Sequence, residues 1–171
     1  MHHGFMGTSL PGRPFRRSPR RVLRSVLGAA APVVVVLAGC VPAPAGTQLG
    51  SVIVDLSEQH AYLFWSDGTL AARVPVSTGA GDSTPVGEFR LYQKQPVGTA
   101  SSDRSVHMDH FSVFVGGVGF HGIPWRGHRG NRLPTPLGER PVSHGCIRMA
   151  DGYARFIYDS LPLGSSVVVR R

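Results

Sequence analysis

Two cysteines, Cys40 and Cys146, are all that the 171 residues hold. That excludes a scaffold stapled by several disulfides, so the fold must rest on apolar packing. Acidic residues are absent from residues 1–39, which carry six arginines: Arg13, Arg16, Arg17, Arg20, Arg21 and Arg24. Taking those six from the total of 18 basic residues leaves twelve against ten acidic ones from Cys40 onward, a net of +2. The overall charge of +8 thus belongs to one end of the chain. A nucleic-acid binder needs its own basic surface, so nucleic acid is not an expected partner. A long apolar run is missing too. The run Val26 to Ala38 has thirteen residues, whereas a membrane-spanning helix needs about 20. No internal repeat occurs, and the length suits a single domain after any leader.

What is present begins with that leader. A basic stretch to Arg24, the apolar run and small residues at its end form the three zones of an export signal. The tetrapeptide Leu37-Ala38-Gly39-Cys40 resembles the lipobox of bacterial lipoproteins, where the signal is cut before a cysteine that receives a diacylglyceryl group. We therefore expect a lipoprotein signal peptide over 1–39, a lipidated Cys40 with a Pro/Ala/Gly tether over 40–49, and a folded domain over 50–171. The expected location is the extracytoplasmic face of a bacterial membrane. Arg20-Arg21 invites a twin-arginine route, but the rest of that motif matches poorly, so the export route stays open. With Cys40 lipidated, Cys146 is the lone thiol of the folded domain. An unpaired cysteine in an exported protein flags reactivity.

Past the tether the signals are mostly β. Val52–Leu56, His60–Trp65 and Leu70–Val76 read as strands, with Asp67-Gly68 as a hairpin turn between the last two. Glu88–Lys94, Phe111–Val115 and Ser166–Arg170 read as further strands. One helix is expected over Asp151–Ser160, with Tyr153, Phe156 and Ile157 on one face and Pro162 beyond its end. The predicted fold class is mainly β, a sandwich or barrel with one or two short helices.

The chemistry concentrates in Ser143-His144-Gly145-Cys146-Ile147-Arg148 and, upstream, Gly119-Phe120-His121-Gly122. A thiol attacks as thiolate, and a nearby histidine takes its proton, so a lone Cys with histidines elsewhere suggests acyl transfer. Gly145 lets the backbone bend before the thiol, which would aim the amides of Gly145 and Cys146 at a developing oxyanion.

These residues resemble the L,D-transpeptidase (YkuD-like) catalytic domain family, marked by a histidine followed at a distance by Ser/Thr-His-Gly-Cys-x-Asn/Arg. Val76–Gly79, Thr84–Phe89 and Met108–Gly122 look like the family's upstream segments, and the likeness covers about Ser51 to Val169. The family usually sets about 14 to 17 residues between histidine and Ser/Thr. Here residues 122–142 number twenty-one, with the excess in a Gly-, Arg- and Pro-rich stretch, Trp125–Pro141, expected to form a longer loop. The resemblance implies that Cys146 attacks a peptidoglycan tetrapeptide stem before its terminal D-Ala and that His121 acts as base and then acid. An amine of a second stem then resolves the acyl-enzyme into a 3→3 cross-link, with no metal or other cofactor. Gly122 has no side chain, so any group orienting His121 would be a backbone carbonyl. Carbapenem β-lactams are expected to acylate Cys146 and so inhibit.

The remaining candidates have weaker roles. We expect His144 to brace the loop through its ring rather than act as base, and Ser143 to be a local hydrogen bonder. Arg148 is expected to bind a substrate carboxylate or to pair with a structural acid. Trp125 and Met108 complete the substrate-binding candidates. The cluster Arg126-Gly127-His128-Arg129 reads as a solvated loop more than as an anion steerer. His107-Met108-Asp109-His110 reads as strand, which does not align two histidines as metal ligands. Two rivals remain: an L,D-carboxypeptidase or amidase that resolves the same acyl-enzyme with water, and a noncatalytic peptidoglycan-binding lipoprotein.

Overall fold

The computed structural model describes residues 48–171. The expected signal peptide and Cys40 lie outside the described residues, as does all but the end of the tether.

Ten strands and one α-helix follow in the order β1 (Leu49–Asp55), β2 (His60–Trp65), β3 (Leu70–Pro75), β4 (Gly87–Arg90), β5 (Gln93–Thr99), β6 (Val106–Val115), β7 (Val118–His121), β8 (Trp125–Arg126), β9 (Ile147–Arg148), α1 (Asp151–Ser160) and β10 (Ser166–Arg170). They form two sheets, ordered β3-β2-β1-β10-β4 and β5-β6-β7-β9, with β8 paired to β6. The mainly β class with little helix is as the sequence indicates.

The first sheet centres on β1 and β10, which run parallel with Val52 opposite Val167 and Val54 opposite Val169. All four are buried, and with Leu63 and Val74 they form the inner face of this sheet. The Asp67-Gly68 turn closes the β2–β3 hairpin, with Gly68 at φ 84° and the Asp67 carboxylate accepting the Thr69 N–H at 2.8 Å. From the other sheet, Phe114, Phe120 and Ile147 join the same core, together with Ala154 and Ile157 of α1.

Two expectations need correction. Glu88–Lys94 is not one strand: β4 pairs with β10 in the first sheet, whereas β5 pairs with β6 in the second. The chain changes sheets at Leu91, whose side chain is buried where the segment crosses between layers. In α1 the buried positions are Ala154 and Ile157, while Tyr153 is exposed. Phe156 instead meets Trp65 edge-on, with ring centroids 5.6 Å apart.

Candidate active site

The short parallel pair β7–β9 builds the site. Phe120 lies opposite Ile147, and His121 opposite Arg148. Phe120 and Ile147 are fully buried and point into the core. Because strand side chains alternate, His121, Arg148 and the preceding Cys146 face the other way. There they line a cavity of about 450 Å³ that also holds Met108, Phe111 and His144. The alternation thus turns core packing into placement of the reactive groups.

A dense set of backbone bonds holds the Cys146 loop against the segment after β3. Ser77 N–H donates to Arg148 O at 2.9 Å, and Arg148 N–H returns a bond to Ser77 O at 3.0 Å. Val142 and Ser143 both donate to Thr78 O, and Ala80 donates to Ser143 O. Thr84, buried, accepts the Gly79 N–H at 2.7 Å and donates its hydroxyl to Gly145 O at 2.8 Å. Gly145 has φ 137°, a conformation reserved for glycine, and an added Cβ would lie 3.1 Å from Ser83 O. The sequence pointed to Thr84 only as part of a family segment; its two bonds were not legible. We expect Thr84→Val, which keeps the shape and removes both bonds, to destabilise the domain by about 1–3 kcal/mol. Thermal unfolding, together with the rate of thiol acylation, measures this; an unchanged rate would show that the loop keeps its shape without Thr84.

Ser143 is built into the loop: its hydroxyl donates to Cys146 O at 2.6 Å and accepts the Gly145 N–H at 3.0 Å. That second bond narrows the oxyanion expectation, because the Gly145 amide is already engaged. Only the Cys146 amide is left of the two. His144 is exposed and its ring makes no hydrogen bond among the described residues, so Ser143 does the bracing expected of it.

His121 is buried and its Nδ1 lies 2.6 Å from Gly122 O. A carbonyl only accepts, so Nδ1 carries the proton and Nε2 holds the free lone pair. Burial lowers the His121 pKa to about 4; the Gly122 bond opposes this and the nearby Arg148 charge adds to it. Burial likewise pushes the Cys146 thiol up, against smaller downward pulls from a backbone bond to Gly119 and from Arg148. Thiol and imidazole therefore both rest neutral.

Arg148 pairs with no acid among the described residues, which removes the structural-acid alternative. Its Nε is buried without a partner, and Nη1 reaches only Thr135 Oγ1 at 3.5 Å. Trp125, by contrast, does not line the cavity. It is wedged between His107, at a ring separation of 4.5 Å, and the Arg129 guanidinium, 5.3 Å from its ring centre. There it anchors the long loop.

The loop is exposed over residues 126–132, as the sequence indicates, but its arginines are tied to acids. Arg126 pairs with Asp103 at 3.0 Å, Arg129 with Asp109 at 3.0 Å and Arg132 with Asp151 at 2.7 Å. The sequence showed the arginines but not their acids, which come from three other segments. The same pairings disperse His107-Met108-Asp109-His110: His107 stacks on Trp125, Asp109 takes Arg129, Met108 faces the cavity, and His110 sits at φ 57° against Tyr158.

The model of the L,D-transpeptidase catalytic domain family (YkuD) matches residues 50–169. The chain belongs to this family. Among curated proteins it is similar to L,D-transpeptidase 1 of Mycobacterium tuberculosis, 25% identical over 139 residues, which is 72% of this chain and 53% of that protein. The chain thus spans about half the length of that relative. Among solved structures, an L,D-transpeptidase from Mycobacterium smegmatis aligns at 26% identity with TM-score 0.57, over 72% of this chain and 59% of that one. L,D-transpeptidase 3 of Mycobacterium tuberculosis, solved with a faropenem-derived adduct, shares the fold at TM-score 0.56 and 18% identity, over 72% and 61%.

Proposed function

We propose that this L,D-transpeptidase-family domain is an exported, lipid-anchored enzyme that forms 3→3 peptidoglycan cross-links through a Cys146 acyl-enzyme. The observation that carries the reading is the cavity in which Cys146, His121 and Arg148, which has no acid partner among the described residues, share one face of β7–β9. Family membership supports the acyl transfer, and the relative with a faropenem-derived adduct supports β-lactams as ligands. Anchoring through Cys40 rests on the lipobox-like tetrapeptide.

The donor is a tetrapeptide stem whose third residue presents its carbonyl to Cys146. As Sγ attacks, the thiol proton passes to His121 Nε2, and the Cys146 N–H faces the oxyanion. The imidazolium is held by Gly122 O. Collapse breaks the amide bond, His121 protonates the departing amine of D-Ala, and a thioester remains. A side-chain amine of a second stem then attacks the thioester, gives its proton to His121 and frees the thiol.

A neutral His121 of low pKa is a weak base. Burial is the main cause; a carboxylate of the stem at Arg148 would offset the smaller one, the nearby positive charge that also disfavours the imidazolium. Substrate binding would thereby remove the Arg148 part of the depression, while burial still holds the His121 pKa down.

The test is product analysis with a disaccharide-tetrapeptide, with and without added amine acceptor. A dimer formed with loss of D-Ala supports cross-linking. Tripeptide alone means that water resolves the acyl-enzyme, as in a carboxypeptidase. Binding without any turnover would leave a noncatalytic wall-binding role.

A further inference from the structure

The carbonyl that orients His121 belongs to the same peptide unit as the Ile123 N–H. At its far end that N–H donates to Asp151 Oδ1 at 2.9 Å. Asp151 is the first residue of α1 and is held by Arg132, whose Nη2 meets Oδ2 at 2.7 Å and whose Nη1 lies 3.3 Å from Oδ1. Arg132 Nη1 also donates to Ile123 O. On the other side Gly122 N–H donates to Asp109 O at 3.0 Å. Asp151 lies so close to this turn that a Cβ on Gly122 would stand 2.3 Å from its Oδ1.

From this geometry we infer that Asp151, braced by Arg132, is a positioning residue for His121 that acts through the Gly122–Ile123 peptide. A peptide unit is planar, so fixing its N–H fixes the direction of its C=O. The carboxylate also polarises the amide, which makes Gly122 O a stronger acceptor for Nδ1–H. Asp151 thus does through one peptide what a carboxylate does directly in a Ser-His-Asp triad: it sets the tautomer and supports the imidazolium. Asp151 does not line the cavity and touches no reacting atom. Arg132 comes from the Gly-, Arg- and Pro-rich loop between His121 and Ser143. The inference rests on His121 as the base, but its test is independent of turnover.

The experiment uses the domain with Asp151→Ala, Asp151→Asn and Arg132→Ala. It reads the His121 tautomer by nitrogen NMR, the maximal rate of Cys146 acylation by a carbapenem and the Tm. In wild type the ring is expected as the Nδ1–H tautomer. Asp151→Ala should populate the Nε2–H tautomer and slow acylation by about tenfold to a hundredfold with half-saturation little changed. Asp151→Asn, which keeps an acceptor for Ile123 N–H, should recover part of both, with Arg132→Ala between wild type and Asp151→Ala. A ring that stays Nδ1–H in all three variants would overturn the inference, even where Tm and rate fall together. Should wild type fail to acylate, the proposed function falls, and the tautomer still decides the role of Asp151.

Discussion

Wild-type domain incubated with a carbapenem is expected to gain the mass of one intact ligand, and Cys146→Ala to gain none. The strained amide opens on attack and nothing departs, so the adduct carries the whole ligand. Cys146 is the one thiol of the domain, and it lines the same cavity as His121, within reach of a carbonyl bound there. Cys146→Ser should be nearly as dead, because a hydroxyl is far harder to deprotonate than a thiol, and a base with a pKa of about 4 is weak even for the thiol. Intact-protein mass spectrometry reads all three. An adduct on the alanine variant would place the nucleophile elsewhere. An unmodified wild type of native fold would deny that the thiol is activated.

The second large effect concerns His121 and pH. Loss of a general base typically costs roughly 100-fold to 10,000-fold in rate, so His121→Gln should retain the fold and lose nearly all turnover. In wild type the acid limb of kcat/KM should fall near pH 4 instead of near the ordinary histidine value of 6.5. Stability follows the same group. The folded pKa lies below the unfolded one, so the contribution is complete above about 6.5 and is lost as pH falls through 4. The loss amounts to roughly 3 kcal/mol at one pKa unit per 1.36 kcal/mol. His121→Gln should show a flatter fall in stability over that interval. Urea unfolding from pH 7 to 4 measures it, and equal slopes in the two proteins would mean that His121 does not titrate as buried. An acid limb at 6.5 would carry the same message for the site.

The sequence was most informative where chemistry and local geometry coincide. Ser143 to Arg148 and the distant His121 stood out because a lone thiol, a flanking glycine and histidines are rarely assembled by chance. The helix Asp151–Ser160 was readable from periodicity and from Pro162 beyond it, and the β2–β3 hairpin from Asp67-Gly68. Trp125, a substrate-binding candidate from the sequence, does not line the cavity. Only the tertiary fold reveals that His107 and Arg129 enclose its two faces. The ion pairs of the exposed loop arginines were not legible for a related reason: Asp103, Asp109 and Asp151 are 23, 20 and 19 positions away from their partners.

By itself, then, the sequence determined the mainly β class and the family, and it singled out the candidate reacting groups, because side-chain chemistry and strand or helix periodicity are local properties. The tertiary structure alone decided that β4 and β5 lie in different sheets, that the Gly145 amide is taken by Ser143, that Arg148 faces the cavity without an acid among the described residues, and that Asp151 binds the Gly122–Ile123 peptide whose carbonyl meets His121. All but the Gly145–Ser143 bond, which spans two residues, depend on which distant segments meet once the sheets pack. Those meetings follow from packing the two sheets and α1 on one shared core, not from any spacing along the chain.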